Sequence, residues 1–408
     1  MNIGIFTDSY RPEISGVVVS VQTLKKALTA RGHRVFIFAP DNPAAESEED
    51  VYRFPSVPVI FQKSLRLAVS VPPEALTAIR QIKLEVIHTQ TEFTLGFFAK
   101  AVARILDLPI IHTYHTMYKD YVHYITKGKL VQLSEDMVRV LSRKFCNADD
   151  MIIAPTDKVR NLLLEYGVKR PLRIVPSGVD LARFQLAAKN PEVRKGVREE
   201  LKILETTPLV VFIGRIAKEK SIDMLIRAMP VLQAKLPEAR LLIVGDGPEK
   251  ALLEKMVSEI CETGSVLFTG SRPWADIPSY YRAGDVFVSA SVTETQGLTI
   301  LEAMASEVAV VARQDPSFAA MITDGVDGRL FAGEADLPET LFQILSDHEK
   351  TSRIIGAARE KALLYSAETF GQKLEETYTE VIGLHKLRSR HFVRRIRRFI
   401  LTRKLAPR

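Results

Sequence analysis

The chain has 408 residues and a mass of 45.7 kDa, enough for two or three domains with cores of their own. With 46% hydrophobic and 26% charged residues, 21 Gly and 21 Pro, it is neither disordered, collagen-like nor of low complexity; its two cysteines, Cys146 and Cys261, build no disulfide framework and sit in no metal-ligand spacing, which fits a reducing, cytoplasmic compartment. The formal charge of +7 is uneven, because residues 386–408 carry ten Lys and Arg and no acid, leaving −3 for everything before them.

The sequence opens on a strand, MNIGIFTD, without room for a charged, cleavable leader. No apolar run reaches the ~18 residues of a spanning helix, so a protein not integral to a membrane is expected. TDSYRPEISGVV places Ser15 and Gly16 ahead of a helix from about Val17 to Arg31, and glycine there lets backbone approach a phosphate closely. Short apolar runs then alternate with helical stretches: RVFIFAP, LEVIHTQ, LPIIHTY, DDMIIAP and RIVPS. IIHTYHTMYKDYVHY carries His112, His115 and His123 past a strand end, where a histidine is a candidate functional group. Residues 181–207 are rich in Lys, Arg and Glu, with helical stretches but no strand-like run, and suit a linker.

A second series follows: PLVVFIGR, ARLLIVGDG, GSVLFTG, DVFVSAS and VAVVA. Apolar strands flanked by helices imply two parallel, doubly wound sheets of Rossmann-like α/β type, and ligands of such sheets bind beyond the carboxyl ends of the strands, here in a cleft between two domains. In GRIAKEKS, Arg215 and Lys220 leave a strand on a loop and can neutralise a diphosphate. VGDGPEK reads as a structural turn through Gly245 and Gly247. In SASVTETQGLTILEAMA, Gly297 breaks the chain before a helix over Leu298–Ala305, so the amides of Gly297, Leu298 and Thr299 are donors for an anion. Glu294 precedes them and Glu302 lies one turn into the helix, a layout suited to the hydroxyls on either side of the diphosphate in a nucleotide sugar. No HExxH motif or acidic pair accompanies them, so no metal is expected.

The tail is patterned as well as charged. Phe392, Val393, Ile396, Phe399 and Ile400 recur at helical spacing, opposite Arg390, Arg394, Arg397 and Arg398. With Arg395 these residues predict an interfacial helix on anionic lipid, where each basic side chain contributes about 1 kcal/mol. No nucleic-acid fold signature accompanies the tail, so no nucleic acid is expected as partner.

Taken together, the Glu294–Glu302 spacing, GR with a downstream Lys, GDGP and PSGVD (Pro176 to Asp180) resemble family 4 of the retaining GT-B glycosyltransferases, from Met1 to about residue 385. The resemblance implies a GT-B fold, two Rossmann-like domains facing across a cleft: an N-terminal acceptor domain over 1–180, the linker over 181–207, a C-terminal nucleotide-sugar domain over 208–367, a helix over 368–385 crossing back to the first domain, and the basic tail over 386–408. It further implies that Glu294, with the amides of Gln296 and Gly297, holds the donor sugar, that Glu302 holds the ribose, that Arg215 and Lys220 bind the diphosphate, that the Gly16 amide approaches the distal phosphate, and that His115 lies near the reacting centre. No cofactor or metal is implied beyond the UDP-sugar donor. Thr295-Gln296 replaces a common Gly-Phe, Ser15-Gly16 a Gly-Gly pair, and Ser221 a common Gly.

SGVVVSV, VIHTQTEFTLG and HTYHTMYKDYVHYITKGK are similar to the bacterial subgroup that glycosylates diacylglycerol. Tyr118, Tyr121 and Tyr124 interleave with Lys119, Lys127 and Lys129 as a candidate lip at a lipid–water interface, and Val59, Ile60 and Phe61 with Lys63 and Arg66 form a second candidate contact. The expectation is a cytoplasmic enzyme held peripherally at the inner face of the cell membrane, moving glucose from UDP-glucose to diacylglycerol. The alternatives are addition of glucose or galactose to monoglucosyldiacylglycerol and, in another class, a UDP-sugar epimerase.

Overall fold

The computed structural model describes residues 1–13, 15–59, 62–70, 72–115 and 131–404. The chain divides into two compact units, one of Met1–Pro155, Val159–Pro176 and Phe370–Arg408, the other of Thr156–Lys158 and Ser177–Thr369.

The described strands of the first unit are β1 (Asn2–Phe6), β2 (Arg34–Pro40), β3 (Val51–Phe54), β4 (Ser56–Val59), β5 (Gln62–Ala68), β6 (Val86–Thr89), β7 (Ile110–Thr113), β8 (Met151–Ala154) and β9 (Leu172–Ile174). Seven form a parallel sheet in the order β3-β2-β1-β6-β7-β8-β9, while β4 and β5 pair as a separate antiparallel ribbon. Alternation along each strand builds a core on both faces. Ile3, Ile5, Val35, Ile37 and Ala39 join one cluster, and Phe6, Phe36 and Phe38 join the other. On that second face Phe6 and Phe38 stack with ring centroids 4.3 Å apart, and burial of each ring stabilises by roughly 1.5–3 kcal/mol.

The helix Gly16–Ala30 follows β1, with extended Ser15 at its N-cap accepting from the Val18 amide at 3.3 Å. Its Val18, Val21, Leu24 and Leu28 form the buried stripe. The helix expected near Glu368 to Leu384 runs from Ala367 to Lys404. Its Phe370, Leu374, Tyr378 and Val381 enter the same cluster as Ile3 and Ile5.

The second unit holds β10 (Leu209–Ile213), β11 (Arg240–Val244), β12 (Val266–Gly270), β13 (Val286–Ser289), β14 (Ala309–Arg313) and β15 (Arg329–Phe331), parallel in the order β12-β11-β10-β13-β14-β15. Leu209, Val211 and Ile213 face one core and Val210 and Phe212 the other.

Residues 181–207 correct the expected linker. They form helices Leu181–Ala188 and Pro191–Glu200, whose Phe184, Val197 and Ile203 belong to the core of the second unit. Arg198 is only 1% exposed; it donates to the carbonyls of Ala283, Leu204, Glu205 and Thr207 and pairs with Asp285 at 3.0 Å. A buried guanidinium with all three nitrogens engaged costs far less than an unpaired one, so a charged stretch here is packed core.

Candidate active site

In the second sheet the strand order reverses between β10 and β13, the switch point where open α/β sheets bind ligands. Arg215 and Lys220 lie just past β10, and Glu294 to Thr299 just past β13. Lys220 donates from Nζ to Glu294 Oε1, with both side chains about one-fifth exposed (21% and 20%). Burial alone would raise the Glu294 carboxyl, but the Lys220 charge and hydrogen bond outweigh it and hold the group below its ordinary range. Arg215 pairs with Glu219 four residues on and keeps 43% of its side-chain surface, which leaves its guanidinium open to an anion. Ser221, where Gly is common in the resembling family, takes the left-handed conformation (φ 50°) that glycine adopts without strain.

The helix Leu298–Ala305 begins directly after Gly297, which has φ 84° and sits so close to Phe318 that a Cβ would lie 2.5 Å from its ring. The Ile300 amide donates to the Gly297 carbonyl at 3.1 Å, while those of Leu298 and Thr299 have no intrahelical acceptor, and the macrodipole adds positive potential there. Glu302, 4% exposed, faces inward and accepts from the Tyr281 hydroxyl at 2.8 Å. Burial raises its carboxyl to about 7, against the opposing effects of Tyr281 and Arg183. Arg183 lies over the Trp274 ring at 4.8 Å and donates to the Trp274 carbonyl. Neither Tyr281 nor Arg183 is legible as a site residue in the sequence, since each lies on another helix far along the chain.

Backbone and side-chain contacts hold the loop between β13 and this helix. The Gln296 amide side chain, 3% exposed, donates to the Ser177 carbonyl at 2.9 Å and accepts from the Ser177 amide at 2.7 Å. Gln296 therefore ties the loop to PSGVD through its side chain, leaving its backbone amide as the candidate donor ligand. Ser317 Oγ donates to the Glu294 carbonyl at 2.6 Å. The turn in VGDGPEK is a prop: a Cβ at Gly245 would lie 1.9 Å from the Gly214 carbonyl oxygen, and one at Gly247 would lie 2.1 Å from that of Ile216. These two glycines let the turn press against the loop that carries Arg215.

In the first unit the order reverses between β1 and β6. Past β1, the Ser9 and Ser15 hydroxyls lie 3.2 Å apart, and Gly16 opens the helix; a Cβ on Gly16 would meet nothing within 4 Å, so the fold itself does not require glycine there. Asp8, 1% exposed, accepts from Thr91, Thr94 and the Leu95 amide and so caps the helix Thr94–Leu106. Three histidines occupy the ends of β6 and β7. His88 bonds Tyr378 at 2.8 Å and Thr113 at 2.7 Å, and burial lowers it well below its ordinary value. His112 lies 3.0 Å from Glu92. His115 bonds Gln90 Oε1 at 2.6 Å, and burial, with a push from His112, lowers it to about 3. Gln90 is a further polar group that the strand-end position just past LEVIHT could have flagged.

Tyr118, Tyr121 and Lys127, with Lys119, Tyr124 and Lys129, lie outside the described residues, as do Ile60 and Phe61. Arg394, Arg395, Arg397 and Arg398 lie on the described helix Ala367–Lys404, but their side chains are outside the description. Among the described residues, no helix is long and apolar enough to cross a membrane, and no cluster of three His, Cys, Asp or Glu is placed to hold a metal ion.

Two parallel, doubly wound units, the second with paired charges and a helix N-terminus at its switch point, have the architecture of a GT-B glycosyltransferase. A crystal structure of Anabaena HepE in complex with UDP superposes with a TM-score of 0.73 at 20% identity, covering 93% of this chain and 100% of that one. Residues 14–183 match the model of Glycosyltransferase Family 4, and residues 193–361 that of Glycosyl transferases group 1. The chain is 38% identical to the alpha-monoglucosyldiacylglycerol synthase of Streptococcus pneumoniae (strain ATCC BAA-255 / R6), over 94% of this chain and 86% of that protein. It is 33% identical to the synthase of the same name from Acholeplasma laidlawii, over 94% and 98%. The chain belongs to glycosyltransferase family 4.

Proposed function

We propose that the protein transfers glucose from UDP-glucose to the free hydroxyl of 1,2-diacylglycerol with retention of configuration. The observation that carries this reading is the identity with two alpha-monoglucosyldiacylglycerol synthases over 94% of the chain. The donor lies on the second unit: Glu294, held ionised beside Lys220, accepts hydroxyls of the sugar with help from the amides of Gln296 and Gly297. Glu302 takes the ribose, while Arg215, Lys220, and the amides of Leu298 and Thr299 take the diphosphate. By resemblance to the family, the Gly16 amide approaches the distal phosphate and His115 lies near the reacting centre.

In this front-face reaction the bond from the sugar C1 to the β-phosphate oxygen breaks, the acceptor oxygen bonds to C1 on the same face, and its proton passes to the departing phosphate oxygen. UDP leaves with the charge that Arg215 and Lys220 stabilise, so catalysis rests on positioning and electrostatics. The residues past β10 and β13 supply positive charge where other transferases employ a metal ion. The basic tail over 386–408 holds the enzyme on anionic lipid at the inner face of the membrane.

A donor-by-acceptor matrix tests this: radiolabelled UDP-glucose and UDP-galactose, each with diacylglycerol, with monoglucosyldiacylglycerol, and with no acceptor. Monoglucosyldiacylglycerol from UDP-glucose and diacylglycerol is the expected product. A diglycosyl lipid alone would move the enzyme to the second step, and conversion of a UDP-sugar without acceptor would make it an epimerase.

A further inference from the structure

The carboxyl edge of the first sheet holds one polar group that the fold leaves unanswered. Gln90 follows β6, its backbone amide donates to the Phe6 carbonyl at 2.8 Å, and only 2% of the residue is exposed. Its Oε1 meets His115 Nε2 at 2.6 Å, while its buried Nε2 has no hydrogen-bond partner among the described residues. Leaving a buried amide N–H orphaned destabilises the fold, and such a group calls for an explanation, here a ligand that answers it. The His115 bond also settles a tautomer: the carbonyl oxygen only accepts, so His115 donates from Nε2 and keeps its lone pair on Nδ1.

We propose that Gln90 is a positioning and binding residue, which fixes His115 as the Nε2–H tautomer and offers its amide N–H to a hydroxyl oxygen of the reacting sugar or alcohol. The proposal rests on His115 standing near the reacting centre, as in the proposed function. A neutral amide with one acceptor engaged and one donor open suits an uncharged oxygen; a phosphate would call for positive charge, which the second unit supplies. Among the described residues, His112 on β7 and His88 on β6 are the ionisable groups electrostatically coupled to His115, and neither adds a negative charge to it.

Steady-state kinetics in mixed micelles of diacylglycerol and anionic lipid test this on the full chain, with Gln90→Met, Gln90→Glu, His115→Ala and the double variant Q90E/H115A, alongside UDP affinity by calorimetry. Gln90→Met, close in shape, should lower kcat/KM about tenfold with UDP affinity and melting temperature unchanged. A loss in the KM for UDP-glucose and in its slow hydrolysis without acceptor would assign the hydroxyl to the donor sugar; a loss in the KM for diacylglycerol alone would assign it to the acceptor. Gln90→Glu places a carboxylate against His115, which favours the imidazolium, so its rate should fall on the acid side of neutrality more steeply than that of wild type, and the double variant should lose that extra limb. Wild-type kinetics and pH profile in both Gln90 variants, with His115→Ala impaired, would overturn this inference alone. Full activity in His115→Ala would overturn it together with the reading of His115.

Discussion

The carboxyl edges of the two sheets solve opposite problems. That of the second unit is ionic: Lys220 faces Glu294, Arg215 faces Glu219, and a helix begins at Gly297. In that of the first unit the carboxyls of Asp8 and Glu92 are answered by hydroxyls, a backbone amide and His112, while His88 and His115 are held far below their ordinary protonation range and bonded to hydroxyls and an amide. Fixed charge suits a ligand whose own charge changes as a bond breaks, whereas neutral donors and acceptors suit hydroxyls that must be aimed. Under the proposed function, one scaffold used twice would separate holding a leaving group from orienting the groups that react.

Four experiments press on that contrast, beginning with the largest effect. Lys220→Ala should lower kcat by about 10²–10³ while sparing vesicle binding; retained turnover would remove Lys220 from the mechanism. Truncation after residue 385 should weaken sedimentation with anionic vesicles about a hundredfold at low salt, with the difference shrinking as salt screens the lipid charge, and calorimetric UDP affinity should stay unchanged. Equal vesicle binding by both chains would count against the tail.

Gly245→Ala drives a Cβ into the Gly214 carbonyl and should cost about 1–3 kcal/mol by denaturant melting. UDP affinity should fall with it, because the loop of Arg215 must shift; unchanged affinity would detach the turn from the donor site.

The smallest effect is one of pH. Glu302 sits near 7 in the folded protein against an ordinary 4.5, so the fold binds an extra proton between those values and loses stability as pH rises through them. Glu302→Gln should therefore melt higher than wild type above pH 7, with the gain vanishing below about pH 4.5. Donor affinity should run the other way, the variant binding UDP-glucose about tenfold more weakly at pH 8 and nearly equally at pH 6. A wild-type affinity that is level across pH 6–8 would separate Glu302 from the ribose.

Much of the site was legible because its residues stand immediately past apolar strands. Arg215, Lys220, Glu294 and His115 each follow such a run, and strand ends are where parallel sheets present chemistry. Tyr281, Arg183 and Gln90 escaped, because what makes them matter is a partner placed by tertiary packing: Tyr281 meets Glu302 across 21 residues, and Gln90 meets His115 across 25. The stretch 181–207 misled through composition, since its charged residues include Arg198, whose worth depends on Asp285 87 positions away. The strands β3 and β15 are short edge pieces, VYRF and RLF, without the apolar run that marks their neighbours.

The helix from Ala367 to Lys404 has a consequence for how the protein is made. Phe370, Leu374, Tyr378 and Val381 complete the core around Ile3, Ile5 and Ile37, yet the ribosome reaches them only after the whole stretch Ser177–Thr369 of the second unit. At roughly 5–20 residues per second the interval is about ten to forty seconds. By its end the second unit has all of its chain from Ser177 onward, while the first, begun earlier, still waits with one face of its sheet partly uncovered. A nascent chain halted before Phe370 lacks that part of the core around Ile3, Ile5 and Ile37, and the first unit synthesised is the last to be finished.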